Sequence, residues 1–198
     1  MKKQSLFNKI NREQLKKDLL NETFSRITVS FYRYFEIQSP GRLRDDLYIK
    51  FDRLKIFGRV YIAKEGINAQ ISVPEHNWKE FVEDLNQYDV LENIPFKVAV
   101  EDNGKSFFKL TIKVRDKIVA DGLSINDYDV TNVGTHLNAQ EWNDAINSGA
   151  TVVDMRNHYE SEIGRFKGAI CPDVETFKEE LPAVKEILDD KKDKPILL

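Results

Sequence analysis

The chain has 198 residues, a mass of 23.0 kDa and a formal charge of −3, from 30 basic and 33 acidic residues. Because 41% of the residues are hydrophobic and 32% are charged, the composition excludes a disordered tail, a collagen and a disulfide-rich secreted module. One cysteine cannot form an internal disulfide, and no apolar run reaches the roughly 18 residues of a membrane span. We therefore expect a soluble cytoplasmic protein with no membrane partner.

Charge is divided unevenly along the chain. Residues 1–118 carry 22 basic and 17 acidic side chains, a net charge of +5, whereas residues 119–198 carry 8 and 16, a net charge of −8. A chain of this length can form one large domain or two small ones, and the asymmetry favours two. A basic first half is typical of a surface that contacts an anion.

The first 120 residues have the element order of a ferredoxin-like domain. A short helix capped by Asn11 comes first. Hydrophobic periodicity then predicts strands and helices in the α+β order of the split βαβ fold, in which helices cover one face of an antiparallel sheet. The other face is left free to bind a ligand. In chain order the predicted elements cover 27–37 (strand), 43–54 (helix), 59–63 and 67–73 (a hairpin), 78–85 (helix), 96–100 and 107–119 (strands).

The rest of the chain predicts a different architecture. Residues 121–135 are polar and turn-rich, and we expect a linker there. Residues 136–198 then alternate between strand and helix, which predicts an α/β domain with a parallel sheet. The expected elements are a short strand ending at Leu137, a helix over 139–147, a buried strand over 151–155, a helical stretch over 174–188 that Pro182 divides in two, and a strand from Pro195.

A basic stripe occupies alternate positions late in the first domain. If residues 107–119 form one regular strand, its cations and one aromatic ring share a face. That face can follow a phosphate backbone and stack on a base, although an edge strand protected from aggregation by lysines has the same pattern. The net charge of +5 on residues 1–118 favours nucleic acid. The candidate RNA-binding residues of the stripe are Lys105, Phe107, Lys109, Lys113, Arg115 and Lys117.

A second candidate is the predicted hairpin, where residues 64–68 read Lys-Glu-Gly-Ile-Asn. Gly66 can adopt a positive φ, and the polar side chains beside it can hydrogen-bond outwards or to the turn. Spacing alone favours simple turn chemistry. Lys64 and Asn68 are the further candidate RNA contacts.

Charged residues follow the buried strand of the second domain. Asp154 and Arg156 come directly after it, and Glu160 lies four residues further on. Open parallel sheets bind ligands beyond the carboxyl ends of their strands, so these residues are placed for a site. A structural ion pair between Asp154 and Arg156 is the alternative, and for Asp154 we favour it.

Other catalytic signatures are absent from the sequence. His76, His136 and His158 lack metal-ligand spacing, and no glycine-rich phosphate loop occurs. Cys171 precedes a proline and has no anion-binding loop around it, so we interpret it as a small packed thiol and not as a nucleophile. The sequence therefore predicts no metal, and its cofactor stays unknown.

Several stretches together resemble a known family. They are 61–70 (YIAKEGINAQ), 107–115 (FFKLTIKVR), 134–139 (GTHLNA) and 153–160 (VDMRNHYE), with a Gly-Ala-Ile turn at 168–170. From about residue 27 to its end the chain is similar to the rhodanese-like tRNA uridine hydroxylases, which convert the wobble uridine of tRNA to 5-hydroxyuridine. The resemblance implies a ferredoxin-like domain before a rhodanese-like domain, tRNA as the partner of the stripe and molecular oxygen as a co-substrate.

The resemblance also implies a catalytic cysteine that this sequence lacks. In rhodanese-type domains that cysteine lies in a C-x-x-G-x-R loop directly after the strand that Pro195 begins. The sequence ends at Leu198, before such a loop. We therefore expect an incomplete rhodanese-like domain, a catalytic cysteine beyond Leu198, and no activity from this chain alone. Asp154, Arg156 and Glu160 are then residues that support the absent loop.

Two other functions remain open. The missing cysteine could instead carry a persulfide, which would make the parent protein a sulfurtransferase. Alternatively, the chain is a non-enzymatic RNA-binding module whose second domain is only a scaffold. Oxygen incorporation into uridine separates the first hypothesis from both.

Overall fold

Local signals in the sequence explain where the first helices begin. The structure is a computed structural model that describes Leu6 and residues 10–100, 102–119, 122–123, 129, 132–191 and 193–198. The side chain of Asn11 accepts a 2.8 Å hydrogen bond from the backbone N–H of Glu13 and so caps α1 (Arg12–Leu20). Pro40 occupies the first turn of α2 (Pro40–Arg53), where its missing N–H leaves no hydrogen bond unmade.

Two compact units make up the chain, Met1–Val119 and Ala120–Leu198. Besides α1 and α2, the described residues of the first unit form one further helix and the strands of a single sheet, with short 3-10 turns before and after that helix. The remaining elements are β1 (Arg26–Tyr34), β2 (Phe57–Ala63), β3 (Gly66–Pro74), α3 (Trp78–Asn86), β4 (Lys97–Val98) and β5 (Leu110–Val114).

The sheet of the first unit has five strands in the order β4-β1-β3-β2-β5. The pairs β4-β1, β1-β3 and β3-β2 are antiparallel, whereas β2 and β5 are parallel. The first four strands therefore have the ferredoxin-like arrangement, and β5 extends the sheet beside β2. The predicted α+β element order is confirmed for this unit.

Helices α2 and α3 cover one face of the sheet. Phe51 of α2 and Phe81 of α3 are fully buried, with ring centroids 5.6 Å apart, and Phe81 also packs against Phe31 of β1. Burying each such side chain contributes about 1.5–3 kcal/mol. The same core contains Val29, Leu47, Val60, Ile62, Ile71, Leu85, Leu110 and Ile112.

The predicted strand over 107–119 is too long, because the structure assigns only Leu110–Val114 to β5. Because β5 is an edge strand, it has only β2 as a neighbour and can extend only as far as β2 provides hydrogen-bond partners. Strand β2 provides them from Gly58 to Ile62. The chain then turns inwards, and Ile118 is buried. The strand expected over 96–100 is likewise shorter, at Lys97–Val98.

The second unit contains three helices and two short strands among its described residues. They are α4 (Ala139–Asn147), β6 (Thr151–Val152), α5 (His158–Ile163), α6 (Phe177–Ile187) and β7 (Ile196–Leu197). Asn138 and Glu141 form a capping box that begins α4. Strands β6 and β7 pair in parallel, as predicted, and an isolated parallel bridge joins Val153 to Ile170.

Three expectations for the second unit were wrong. No strand occurs among residues 132–138, and the buried strand expected over 151–155 ends at Val152. Pro182 lies inside a single continuous α6, where its ring is exposed and so meets no packed neighbour. The short helix α5 was not predicted at all. The expected linker over 121–135 lies largely outside the described residues.

Candidate functional site

The face of the first sheet opposite α2 and α3 is polar and partly exposed. Its side chains come into rows because strand register aligns every second residue on one face. One row pairs Tyr32 with Asn68, Asn68 with Tyr61, and Tyr61 with Lys113. A neighbouring row runs Lys97, Ser30, Gln70, Arg59 and Thr111. We call these two rows, with Lys109 and Arg115 at the ends of β5, the open face.

The structure brings together only part of the predicted basic stripe. Lys109 and Arg115 flank β5, and both backbones bond to β2: Gly58 donates to Lys109 and Arg115 donates to Ile62, each at 2.9 Å. The outer members of the stripe do not continue this strand. Lys105 lies in a loop in which its own N–H donates to Asn103, and Lys117 follows the turn after β5 and is half-buried.

A shallow groove of about 330 Å³ crosses the β2 and β5 edge of the open face. Arg59 lies over the Phe107 ring at 5.7 Å, and Arg115 lies over the Tyr61 ring at 5.6 Å. Within the described part of the chain, Lys109 and Lys113 form no ion pair. Such a groove presents cations and ring faces to a ligand. Its lining residues are Gly58, Arg59, Tyr61, Ser106, Phe107, Phe108, Lys109, Thr111 and Lys113.

The hairpin motif at 64–68 holds the chain segment that follows β5. Glu65 is buried, and its carboxylate accepts a 2.9 Å hydrogen bond from the N–H of Ile118. The amide of Asn68 donates to the Ile118 carbonyl at 3.5 Å. Gly66 has a φ of +152°, and a Cβ there would lie 2.2 Å from the Arg33 carbonyl oxygen. The motif is thus turn chemistry that also positions the end of the basic stripe, while the Lys64 side chain is exposed.

In the second unit, Asp154 and Arg156 form a two-point ion pair just after β6. Arg156 donates from Nε and Nη2 to the two Asp154 oxygens, at 2.8 and 2.6 Å. These bonds hold the pKa of Asp154 below its ordinary value despite burial. Nη2 of Arg156 also donates to the Gly164 carbonyl at 2.6 Å. The structure therefore shows the ion pair that the sequence favoured for Asp154.

A cavity of about 560 Å³ lies beside this ion pair, at the carboxyl ends of β6 and β7. Apolar and charged groups meet in it, and the Trp142 and Phe166 rings pack with centroids 5.4 Å apart. Open parallel sheets place ligand sites at this end of their strands. The lining residues are Trp142, Val152, Val153, Asp154, Met155, Arg156, Gly164, Arg165, Phe166 and Leu198.

Glu160 and Cys171 lie near enough to Arg156 to act on it electrostatically, but among the described residues neither hydrogen-bonds to the Asp154–Arg156 pair. Glu160 accepts a 2.9 Å hydrogen bond from the Asn157 side chain and makes no hydrogen bond to Arg156. The half-buried Cys171 lies with its Sγ 3.8 Å from the Ala169 carbonyl. The predicted support from Glu160 therefore does not include a direct contact with the ion pair.

One titratable group that sequence reasoning missed is Glu180 on α6. It is 2% exposed, and its Oε1 has no hydrogen-bond partner among the residues that the structure describes. Burial, together with the nearby Asp154 charge, raises its pKa. The pattern of apolar residues in α6 gives no sign that this glutamate is buried. In the described residues no cluster of three or more His, Cys, Asp or Glu side chains could hold a metal ion, and no described helix is both long and apolar enough to span a membrane.

Comparison with known proteins shows which domain family the first unit resembles. Residues 26–118, which contain the whole five-stranded sheet, match the family described as the UPF0176 acylphosphatase-like domain. Because this segment is similar to that family over its whole sheet, we refer to residues 26–118 as the UPF0176 domain. The open face, the groove and the 64–68 hairpin all belong to the UPF0176 domain, whereas the Asp154 cavity lies outside the matched residues.

The chain as a whole is similar to proteins named tRNA uridine(34) hydroxylase. It is 49% identical over 198 residues to that of Leptospira interrogans, covering 100% of this chain and 54% of the relative. The proteins of Photorhabdus laumondii and an Enterobacter species are 48% and 46% identical over 195 residues, which is 98% of this chain and 55% and 56% of theirs. The chain spans about half the length of the curated relatives it matches. The resemblance to this family is confirmed.

Proposed function

We propose that this chain is part of an enzyme that hydroxylates the wobble uridine of tRNA to 5-hydroxyuridine. The observation that carries the proposal is the identity of 46–49%, along essentially the whole chain, to proteins named tRNA uridine(34) hydroxylase. In this reaction the C5–H of uridine becomes C5–OH, and molecular oxygen is the proposed source of the added atom. The second oxygen atom would leave as water, with two electrons and two protons supplied by an external reductant of the thiol class. The proposed tRNA substrate supports a cytoplasmic location for the enzyme.

The UPF0176 domain is proposed to hold the tRNA on its open face. That face has five cations at its strand positions or at the ends of β5 and no acidic residue at those positions. Phosphates of a bound RNA would pair with these cations and release counterions, which makes binding salt-dependent. The cationic members are Arg59, Lys97, Lys109, Lys113 and Arg115.

The second unit is proposed to be the rhodanese-like part of the catalytic site. Its parallel strands end at the cavity beside Asp154 and Arg156, where a loop that carries a reactive cysteine would lie in such a sheet. Arg156 keeps one edge of its guanidinium on Asp154 and is about half exposed, so it can also attract a thiolate. The cysteine itself is proposed to follow Leu198 in a protein of the relatives' length.

Nucleoside analysis of tRNA tests this function. A gene product of the relatives' length would be incubated with undermodified tRNA and ¹⁸O₂, and the digested nucleosides would be measured by mass spectrometry. We expect one ¹⁸O atom at the wobble uridine, and its absence when the proposed cysteine is changed to serine. A persulfide on that cysteine with no oxygen in uridine would overturn the proposal in favour of sulfur transfer.

Residues 1–198 serve as the matched comparison in the same assay. We expect this chain to bind tRNA and to leave uridine unchanged, because Cys171 has no anion-binding loop around it. Hydroxylation by residues 1–198 at the rate of the longer protein would contradict the assignment of the cysteine to a later segment.

A further inference from the structure

We infer that the open face binds unpaired RNA nucleotides, with bases stacked on Tyr61 and Tyr32, and does not bind double-stranded RNA. This inference rests on the proposed function, since it specifies which part of a tRNA the UPF0176 domain contacts. Neither tyrosine belongs to the basic stripe of the sequence. Both are brought to one surface by strand register.

Three cation and ring pairs lie across the open face. Arg115 is 5.6 Å from the Tyr61 centroid, Arg59 is 5.7 Å from Phe107, and Lys97 is 5.8 Å from Tyr32. Each pair combines a group that contacts phosphate with a group that stacks on a base. Surfaces that bind single-stranded nucleic acid combine these same two groups.

The exposure of the tyrosines suits stacking. Tyr32 is 56% exposed, and Tyr61 is half-buried and lines the groove. A ring packed into the core would be unable to receive a base, whereas these rings stand on the face that α2 and α3 leave uncovered. Stacking needs no particular base, so it supplies affinity without strong sequence preference.

The spacing of the tyrosines favours separated bases. Tyr32 and Tyr61 both pair with Asn68, on either side of β3. Neighbouring strands lie about 4.8 Å apart, so the two tyrosine backbones are about 10 Å apart. Bases in a helix are stacked on one another and cannot occupy two such platforms. Unpaired nucleotides can be splayed out, as sheets that recognise single-stranded RNA require.

Polar side chains between the rings can contact base edges. The Asn68 amide donates to Ile118, which leaves its carbonyl oxygen available as an acceptor. Gln70 is exposed in the adjacent row and offers both a donor and acceptor. Base edges are open to such contacts in loops and not in the narrow major groove of double-stranded RNA.

Fluorescence anisotropy with labelled RNAs tests the inference on the 198-residue chain. The probes are a single-stranded oligonucleotide, a stem-loop with an unpaired anticodon-type loop, and a fully paired duplex of equal charge. We expect the single strand and the stem-loop to bind at least about tenfold more tightly than the duplex. Tyr61→Ala should weaken their binding by about 5- to 150-fold, the range of one lost base stack, with no effect on the duplex.

Two variants control for the tyrosine hydroxyl and for the loss of a tyrosine elsewhere on the surface. Tyr61→Phe keeps the ring and should bind as the parent does. Tyr159→Ala removes a tyrosine that is 64% exposed in the second unit, and it should change nothing. Circular dichroism of each variant shows whether the sheet is intact, and Tyr32→Ala, at a more exposed position, provides a second test of stacking.

Either of two results overturns the inference. If the duplex binds as tightly as the single strand, the open face makes phosphate contacts alone. If Tyr61→Ala and Tyr32→Ala both bind single strands as tightly as the parent does, stacking on these rings is excluded. The hydroxylation assay is independent of both. Oxidised uridine with no dependence on the tyrosines would refute only this inference, and tyrosine-dependent RNA binding with no oxidised uridine would refute only the proposed function.

Discussion

The ion pair between Asp154 and Arg156 should make the stability of the protein depend on pH. The pKa of Asp154 is held below the ordinary value of about 3.9 by hydrogen bonds from Arg156. A lowered folded-state pKa stabilises the protein above the unfolded-state value, and that contribution is lost as pH falls through the folded-state pKa. Asp154→Asn should therefore be less stable than the parent at pH 7, and the difference should disappear in acid.

Urea unfolding from pH 7 to pH 2.5 measures this effect. Asp193→Asn, at an exposed position of the same unit, is the control that should track the parent throughout. If Asp154→Asn lowers the free energy of unfolding as much at pH 2.5 as at pH 7, the side chain stabilises the protein by its packing and not by its charge.

Glu180 should give the opposite pH dependence. Burial raises its pKa above the ordinary value of about 4.3, and the charge of Asp154 adds to this. When the pKa of an acid is higher in the folded state than in the unfolded state, the free energy of unfolding falls as pH rises from the unfolded-state pKa through the folded-state pKa. Glu180→Gln removes that cost, so it should be more stable than the parent at pH 7 and equal to it near pH 4. Glu175→Gln, which is exposed, should show no gain at either pH.

At the scale of elements, hydrophobic periodicity predicted most helices and strands. It identified β1 to β3 and α1 to α4 because each has an apolar face of regular period. It could not place the ends of β5, since the alternation of residues continues to Lys117 while the partner strand β2 ends at Ala63. Strand length there depends on pairing between distant segments.

Short elements were the least predictable. Helix α5 was missed because its six residues are too few for a periodic pattern to show. Strands β6 and β7 were predicted from their apolar runs, but each has only two residues. Pro182 was expected to divide a helix, but helix α6 tolerates the loss of one hydrogen bond where the ring faces solvent. Tertiary packing decided these cases, and local propensity did not.

The lysines of β5 allow a quantitative test of phosphate contacts. Lys109 and Lys113 lie on the open face, and within the described residues neither forms an ion pair that RNA would first have to break. If each neutralises one phosphate of a single strand, changing either to alanine should reduce the slope of log K against log salt by about 0.7, and the double variant by about 1.4. RNA titrations at four salt concentrations give these slopes.

Lys79→Ala is the matched control for the salt titrations. Its side chain is 89% exposed on α3, across the sheet from the open face, and its ion pair with Glu83 is long, at 3.7 Å. The slope for Lys79→Ala should equal that of the parent. Slopes that stay at the parent value in the β5 double variant would instead identify the lysines as protection for an edge strand.

For the whole molecule, the sequence predicted the basic character of the candidate site but only part of its composition. The β5 lysines were found because they are close in sequence. Arg59, Tyr61, Tyr32 and Lys97 were missed because they join the site only through the register of three other strands. Alternation in β1 does place Tyr32 on a polar face, but it cannot show which strand lies beside it.

The two units should also differ in stability, because nearly all of the large buried side chains belong to one of them. Every member of the hydrophobic core cluster lies in the first unit. The buried hydrophobic residues described in the second unit are Val152, Val153, Val184 and Leu197. Stability against local opening follows the buried apolar contacts around an amide.

Amide hydrogen exchange of the 198-residue chain should therefore separate the units. Backbone N–H groups of β1 and β3 in the centre of the sheet should exchange at the rate of global unfolding, while those of β6 and β7 should exchange at least about tenfold faster, which corresponds to about 1.4 kcal/mol less protection. Equal protection in both units would show that they unfold as one cooperative body. Unequal protection would mean that the open face persists while the Asp154 cavity opens, so that the proposed RNA affinity and the pH-dependent contribution of Asp154 to stability vary independently.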